Sequence, residues 1–342
     1  MVKKLKDSGQ QDYNKRTRIF FLVVIVLYTL FLYGNTINNT YSLDDYIIQG
    51  MESQFADKGI QSIGEIFTTT YTTVSSVDGV DKSFGYRPMV RLVYALEYAI
   101  FGVRPGVAHL INILFYLALV LVLYRILQRI LRDYSIWFPF VIVLLFIAHP
   151  VHTEVVASLK NRDELLSVLF SLLTLQLLIK YHDKDKIRYL VFGLLLYVLA
   201  FLSKPTALAF WLVFPLTLYF FTNMSWKKIG MVFGLLTLMI VIGGMMPFWF
   251  LERVRDVSMV DNPLYFEDNI WNILGTGIYG LGYYFRLLLV PHPLLYFYGY
   301  DMIPVVNLGN VWVILTILFY AGILGIAIWK AREKHVISYA IF

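Results

Sequence analysis

The fold class is decided by the apolar run Ile19-Phe-Phe-Leu-Val-Val-Ile-Val-Leu-Tyr-Thr-Leu-Phe-Leu-Tyr33. A helix needs about 20 predominantly apolar residues to cross the hydrocarbon core of a bilayer, so this run and its flanks predict a first membrane span. Two adjacent carboxylates, Asp44 and Asp45, follow shortly after it. Carboxylates near hydrocarbon are costly and usually serve chemistry or transport, so the pair marks a candidate site.

The composition of the whole chain agrees with this reading. Of 342 residues, 58% are hydrophobic and 15% are charged, with a mean hydropathy of +0.66. Soluble domains carry about 25% charged residues. The absence of cysteine excludes disulfides and thiolate metal sites. We therefore predict an all-α integral membrane protein, a multi-span helical bundle.

Further apolar runs along the chain predict additional spans. The last residues, 336–342, look like the start of another span, so we expect the chain to be part of a longer protein. The predicted spans are 19–34, 107–124, 136–150, 164–179, 188–203, 206–222, 229–250 and 310–329.

The distribution of charge predicts the orientation in the membrane. Threading from a cytoplasmic N-terminus places 18 of the 29 Lys and Arg residues, but only 6 of the 23 Asp and Glu residues, on the inner side. This is the positive-inside pattern, and it accounts for the pI of about 9.2 without a nucleic acid partner. No small-x-small cleavage pattern follows the first apolar run, so we expect an uncleaved anchor and an active site on the external face. The inner segments are 1–18, 125–135, 180–188, 223–228 and 330–335.

Two long external loops, 35–106 and 251–309, interrupt one transmembrane domain that covers 1–342. In the first loop, Pro88 and Gly102 punctuate an amphipathic segment that we predict to be an interfacial helix. In the second loop, we favour an interfacial or re-entrant helix at 270–290, although a two-helix hairpin that crosses the membrane is the alternative.

The aspartate pair has a structural alternative. Asp at the start of a helix satisfies free backbone donors, so Asp44 or Asp45 could simply cap a helix over Tyr46–Phe55. Neighbouring side chains on a helix point about 100° apart, so we expect one member of the pair to reach a shared site.

A second polar cluster, His149-Pro-Val-His-Thr-Glu154, lies between two predicted spans. His149, His152 and Glu154 could coordinate a divalent cation, or Glu154 could assist an acid, but the spacing is not HExxH and Pro150 interrupts it. The alternative is a helix-end turn whose polar groups meet lipid headgroups. No cofactor is required by this pattern.

Basic residues on the predicted external face form a third set. Outward cations run against the positive-inside pattern, so an anionic headgroup is a natural partner, and Arg presents a planar fork to phosphate oxygens. The alternatives are snorkelling and ion pairs with Glu97, Asp163 and Glu164. The set comprises Arg87, Arg91, Lys160, Arg162, Lys204 and Arg286.

These features together favour group transfer from a lipid phosphate. A carboxylate would activate an acceptor hydroxyl, and cations would offset the charge on the departing phosphate. Neither GxxxxGK[ST] nor GxGxxG is present, which argues against ATP-driven transport. The alternatives are a transporter or flippase of lipid-linked sugars, and a non-catalytic segment that binds a partner through its loops.

The order of motifs resembles the transmembrane O-mannosyltransferase family (TMTC) and its bacterial relatives, which have the GT-C superfold. The resemblance covers nearly the whole chain, and the His-Pro-Val-His-Thr-Glu string is its most specific element. The matching pieces are Asp44-Asp45, Tyr86-Arg-Pro-Met89, Phe101–Gly106 with His109 and Asn112, His149–Glu154, Asn161–Leu165, Leu202-Ser-Lys-Pro205, Asp261-Asn-Pro263 and Arg286–Pro293.

The resemblance implies a GT-C-type inverting enzyme that transfers a hexose, typically mannose, from a polyprenyl phosphate to a Ser or Thr hydroxyl of a protein. Tetratricopeptide repeats often follow this domain in the family. Pro205 departs from the family pattern, which usually has Glu after the lysine. The implied roles are acceptor activation by Asp44, Asp45 or Glu154, an acceptor pocket around His149, His152 and Asp163, and phosphate binding by Arg87, Arg162, Lys204 and Arg286.

Overall fold

The computed structural model describes residues 2–42, 45, 59–69, 72–75, 81–250, 264–295, 298 and 302–342. The described chain is helical apart from one short two-stranded sheet, which confirms the prediction of an all-α fold. The strands are β1 (Thr72–Ser75) and β2 (Asp81–Phe84). The helices are α1 (Val2–Tyr33), α2 (Ile63–Thr68), α3 (Pro88–Phe101), α4 (Pro105–Ile130), α5 (Trp137–Ala148), α6 (His152–Ala157), α7 (Arg162–Lys184), α8 (Ile187–Ser203), α9 (Phe210–Phe221), α10 (Trp226–Phe250), α11 (Ile270–Leu289), α12 (Val311–Ala331) and α13 (Val336–Ile341).

Each predicted span coincides with an apolar helix. Within the described residues, five helices are long and apolar enough to cross a membrane. They are Lys15–Asn38, Pro105–Ile130, Arg162–Lys184, Trp226–Met246 and Val311–Ala331. The other three predicted spans coincide with the shorter apolar helices Trp137–Ala148, Ile187–Ser203 and Pro205–Phe221. The chain is therefore an integral membrane protein.

Helix α3 begins and ends where its punctuation predicts. Pro88 occupies the first turn, where a missing backbone N–H costs nothing, and Gly102 follows the helix with a φ of 66° that disfavours other residues. Val90, Tyr94 and Tyr98 recur every four residues, which places them on one buried face. This face belongs to a buried apolar cluster that also contains Leu159 and Leu166 of α7.

The chain forms two compact units. Unit 1 comprises the described parts of Met1–Thr72, Gly85–Trp211 and Met231–Leu251, and unit 2 those of Thr73–Phe84, Leu212–Gly230 and Glu252–Phe342. In unit 1, α7 packs along both α4 and α8. Asp185, in the left-handed conformation at φ 47°, ends α7 just before α8 begins.

A buried guanidinium joins three helices of unit 1. Arg162, fully buried at the start of α7, donates from Nε to Asn112 Oδ1 of α4 at 2.7 Å and from Nη2 to the Ala108 carbonyl at 3.0 Å. Its Nη1 pairs with the buried carboxylate of Glu97 on α3, and its Cζ lies 4.2 Å from the Tyr94 ring centroid. Because all three guanidinium nitrogens have partners, the charge is satisfied inside the protein.

In unit 2, α11 and α12 approach each other closely. A Cβ atom on Gly275 would lie 2.6 Å from the carbonyl carbon of Asn307, and one on Gly282 would meet the Thr316 side chain. The Thr276 hydroxyl, beside Gly275, accepts a hydrogen bond from the Val306 amide at 3.0 Å. Small residues on α11 therefore let the neighbouring backbone pack against it.

We predict that Arg162→Met destabilises the protein strongly. The substitution leaves Glu97 buried without its cation, which costs about 3–5 kcal/mol. The free energy of unfolding in detergent micelles, measured by denaturant titration, reports the loss. The matched control is Arg129→Met, which breaks the partly exposed pair with Asp183 and should cost less than about 1 kcal/mol. Equal losses for the two variants would contradict the anchoring role of Arg162.

We predict opposite effects for two glycines of α11. Gly275→Ala forces the Val306–Asn307 backbone away and should cost about 1–3 kcal/mol. Gly277→Ala meets nothing within 4 Å and should be neutral or stabilising by up to about 1 kcal/mol, because alanine favours a helix. The same denaturant titration distinguishes them, and a stabilising Gly275→Ala would contradict the close packing.

Candidate active site

The Asp45 side chain links two backbone segments, at Ser42 and at Lys160. Its carboxylate is fully buried and accepts hydrogen bonds from the Lys160 amide at 2.9 Å, the Ser158 hydroxyl at 3.3 Å and the Ser42 amide at 3.3 Å. The donors that Asp45 satisfies belong to Ser42 and to the turn before α7. Asp44 lies outside the described residues, and so does the helix that was predicted over Tyr46–Phe55.

His152 has a defined tautomer. Its Nδ1 lies 2.7 Å from the Phe146 carbonyl, so this nitrogen carries the proton and Nε2 is left as an acceptor. The ring contacts that of Phe146 in a tilted arrangement, with a centroid distance of 4.2 Å and an interplanar angle of 41°. Burial lowers the pKa of His152 below its ordinary value, which keeps the imidazole neutral near pH 7.

His149 and Glu154 flank His152 in a tight turn. His149 Nδ1 accepts from the Val151 amide at 3.3 Å, while Glu154 is exposed and accepts from the Asn161 side-chain amide at 3.1 Å. Among the described residues, no group of three or more His, Asp or Glu side chains is arranged to hold a metal ion. The turn therefore presents an exposed carboxylate beside a half-buried neutral imidazole.

Three charged side chains meet at or beside Asp163 in unit 1. This carboxylate is fully buried; its Oδ2 pairs with Arg87 and lies 3.3 Å from Lys204 Nζ, while its Oδ1 accepts from the Glu164 amide at 2.6 Å. Lys204 also contacts Glu164 Oε1 at 2.8 Å. We call Arg87, Asp163, Glu164 and Lys204 the ion-pair cluster. It brings together cations that lie far apart in the sequence.

The two cations of the cluster remain accessible. The side chain of Arg87 is 24% exposed and that of Lys204 is 17% exposed, whereas Asp163 is at 0%. Arg87 is the N-cap of α3, Lys204 is the C-cap of α8 and Asp163 lies in the first turn of α7. The cluster therefore sits at the ends of three helices, with the Asp163 carboxylate inside and the two cations towards the surface.

The other predicted phosphate ligands lie elsewhere. Arg162 is enclosed by Glu97 and Asn112, so its geometry favours the anchoring role described above over contact with a ligand. Burial raises the pKa of Glu97, and the Arg162 guanidinium opposes that rise. Arg286, in unit 2, lines a groove of about 560 Å³ whose wall is otherwise mainly aromatic, with Tyr283, Trp312 and Phe319.

The ion pairs that the sequence left as an alternative are present. Arg87 and Lys204 pair with Asp163, Lys204 pairs with Glu164, and Arg162 pairs with Glu97. Sequence reasoning missed that Asn112 orients Arg162 and that Thr206 donates to Glu164 Oε2 at 3.0 Å. A buried polar residue on an otherwise apolar helix, such as Asn112, was the available signal, because it must find a hydrogen-bonding partner.

Comparisons with known proteins agree with the motif resemblance. The family model described as dolichyl-phosphate-mannose-protein mannosyltransferase matches residues 82–250, which include the ion-pair cluster and the His149–Glu154 turn. The chain is 28% identical to protein O-mannosyl-transferase TMTC2 of Homo sapiens over 290 residues, 77% of this chain and 34% of that protein. It is also 28% identical to Tmtc2 of Drosophila melanogaster over 320 residues, 88% of this chain and 33% of that protein.

A shorter match shows higher identity. TMTC2 of Mus musculus is 37% identical over 109 residues, 32% of this chain and 13% of that protein. The chain spans about a third of the length of the human and fly relatives. No solved structure matches the chain significantly. The predicted resemblance to the transmembrane O-mannosyltransferases is confirmed.

We predict a loss of stability on mild acidification that depends on His152. Because the folded-state pKa of His152 lies below that of the unfolded chain, the unfolded state takes up a proton first, and stability falls as the pH drops below about 6.5. His152→Gln can retain a donor to the Phe146 carbonyl but cannot titrate. The fall in unfolding temperature between pH 7.5 and 5.5 should therefore be smaller in this variant, by roughly 2 °C.

The control for this measurement is His292→Gln. His292 is exposed, and its replacement should leave the pH dependence as in the wild type. An identical acid-induced loss in wild type and His152→Gln would show that His152 is not responsible.

Proposed function

We propose that this chain carries the catalytic membrane domain of a GT-C-type mannosyltransferase related to the TMTC proteins. Its donor would be a polyprenyl-phosphate-linked hexose, preferably mannose, and its acceptor a hydroxyl group, preferably of Ser or Thr in a protein. The observation that carries the proposal is the ion-pair cluster, in which two accessible cations meet at helix ends. The relatives named as protein O-mannosyl-transferases support the reaction class.

The cluster suits a phosphate at a membrane surface. Arg87 offers a planar fork for phosphate oxygens and Lys204 offers a compact charge, and the two are fixed by one buried carboxylate. In the reaction, the acceptor oxygen forms a bond to C1 of the sugar from the face opposite the leaving group, so the configuration inverts. The C1–O bond to phosphate breaks, and the polyprenyl phosphate leaves with the electron pair. Arg87 and Lys204 would stabilise its growing charge.

A carboxylate must receive the proton of the acceptor hydroxyl. We assign this role to Asp44, because its neighbour Asp45 already accepts three hydrogen bonds. Asp45 would then position the loop that carries Asp44. His152 and Glu154 would lie on the acceptor side, where a neutral imidazole and an exposed carboxylate can bind hydroxyl and amide groups.

The positive-inside pattern supports a cytoplasmic N-terminus and an active site on the external face.

The position of the charges favours an enzyme over a transporter. Transporters usually place ionisable groups at broken helices near the bilayer midplane. Here Arg87, Asp163 and Lys204 occupy helix termini.

We predict that Asp44→Asn lowers sugar transfer by about 100-fold or more, the usual contribution of a general base, while leaving the unfolding temperature unchanged. Asp45→Asn should lower both, since the amide nitrogen that replaces one carboxylate oxygen donates and would face a backbone N–H donor. Transfer from radiolabelled polyprenyl-phosphate mannose to peptide or protein acceptors in isolated membranes measures the activity.

The control is Asp133→Asn, an exposed carboxylate that should have no effect on either quantity. Full activity in Asp44→Asn would refute the assignment of the base. Absence of transfer by the wild-type protein from any polyprenyl-phosphate sugar would refute the proposed function.

A further inference from the structure

Lys204 is shared between two carboxylates of different character. Its Nζ lies 3.3 Å from Asp163 Oδ2 and 2.8 Å from Glu164 Oε1. The two acids are adjacent in the first turn of α7, yet Asp163 is fully buried whereas the Glu164 side chain is 30% exposed. The formal charges of the four side chains in the ion-pair cluster cancel. An anion that approaches from solvent therefore meets a neutral cluster unless one carboxylate gives way.

Asp163 is the partner that cannot give way. Besides Lys204, it pairs with Arg87 and accepts the Glu164 amide at 2.6 Å, all without exposure to water. Moving it would leave a buried carboxylate without partners, which is costly. Asp163 is therefore a positioning residue that holds both cations in place.

Glu164 can give way at little cost. Only its Oε1 contacts Lys204; its Oε2 accepts a hydrogen bond from the exposed Thr206 hydroxyl at 3.0 Å. If Oε1 left Lys204, water could solvate it while Thr206 still held the other oxygen. Moreover, 2.8 Å is the distance at which a phosphate oxygen would sit from the ammonium group.

We propose that the Glu164 carboxylate is an internal placeholder for the phosphate of the lipid donor, and that it exchanges with this phosphate at Lys204. This inference rests on the proposed function. When the donor binds, a phosphate oxygen replaces Glu164 Oε1 on Lys204, and Asp163 keeps Arg87 and Lys204 in position. When the product leaves, Glu164 returns to Lys204.

The exchange matters most for product release. The donor phosphodiester carries one negative charge, whereas the polyprenyl phosphate product carries close to two near pH 7, so the cations attract the product more strongly than the donor. A returning carboxylate competes with the product for Lys204 and speeds its departure. Glu164 would thus lower the affinity for the donor and raise the rate of product release.

The neighbouring acids are expected to have opposite effects on binding of the product. Glu164→Gln removes the competing charge and should tighten binding of undecaprenyl phosphate by about 2–5-fold, the factor expected for an accessible ion pair. Asp163→Asn releases the two cations and should weaken binding. The matched control is Asp183→Asn, which neutralises a carboxylate paired with Arg129 near the other end of α7 and should change nothing.

Binding is measured by native mass spectrometry or thermal shift on the protein in phosphatidylcholine nanodiscs, with uncharged undecaprenol as the comparison ligand. Glu164→Gln should not alter undecaprenol binding, because the effect acts through the phosphate. In a Lys204→Met background, Glu164→Gln should no longer tighten phosphate binding, since the shared partner is gone. In transfer assays, Glu164→Gln should lower kcat and strengthen inhibition by undecaprenyl phosphate.

Two results would overturn the placeholder role while leaving the proposed function intact. In the first, the wild-type protein transfers sugar, but Glu164→Gln binds undecaprenyl phosphate as tightly as the wild type or more weakly. In the second, Glu164→Gln still tightens the binding of undecaprenyl phosphate in the Lys204→Met background. If the wild-type protein neither binds undecaprenyl phosphate nor transfers sugar, the proposed function fails, and the placeholder role fails with it.

Discussion

The buried charge of Arg162 is the constraint on which the arrangement of unit 1 depends. A guanidinium in a low-dielectric interior must have its donors satisfied, and here Glu97, Asn112 and the Ala108 carbonyl satisfy them from two other helices. This requirement fixes the start of α7 relative to α3 and α4. Because Asp163 and Glu164 follow directly, the same anchor determines where the ion-pair cluster forms.

Three consecutive residues of α7 thereby have three different roles. Side chains that follow one another on a helix point about 100° apart, so Arg162, Asp163 and Glu164 face different surroundings. Arg162 is enclosed by protein, Asp163 joins two cations, and Glu164 reaches the solvent. A string of like or unlike charges in a sequence can thus divide into structural and functional members according to the direction of each side chain.

The geometry of the cluster also suits a substrate that carries its charge on a lipid. The fixed carboxylate of Asp163 prearranges Arg87 and Lys204, so little conformational freedom is lost when an anion binds. In the proposed exchange, the accessible carboxylate of Glu164 would limit how tightly that anion is held. An enzyme that must release a more highly charged product than the donor it binds benefits from both properties.

The sequence by itself determined the features that depend on local physics. Apolar length predicted where the spanning helices lie, and Pro88 and Gly102 predicted the ends of α3, because hydrocarbon thickness and backbone conformation act on neighbouring residues. The motifs also indicated the resemblance to the transmembrane O-mannosyltransferases. The sequence did not distinguish a phosphate-binding Arg162 and a pocket-lining Asp163 from the alternative, in which both form ion pairs within the protein.

Only the tertiary structure decided which acid meets which base. Arg87 and Asp163 are 76 residues apart in the chain, and Asp45 and Lys160 are 115 apart. No local rule fixes such pairings, because they follow from the packing of whole helices and from the cost of leaving a buried charge or backbone donor unsatisfied. That cost separated the enclosed Arg162 and Asp45 from the accessible cations Arg87 and Lys204.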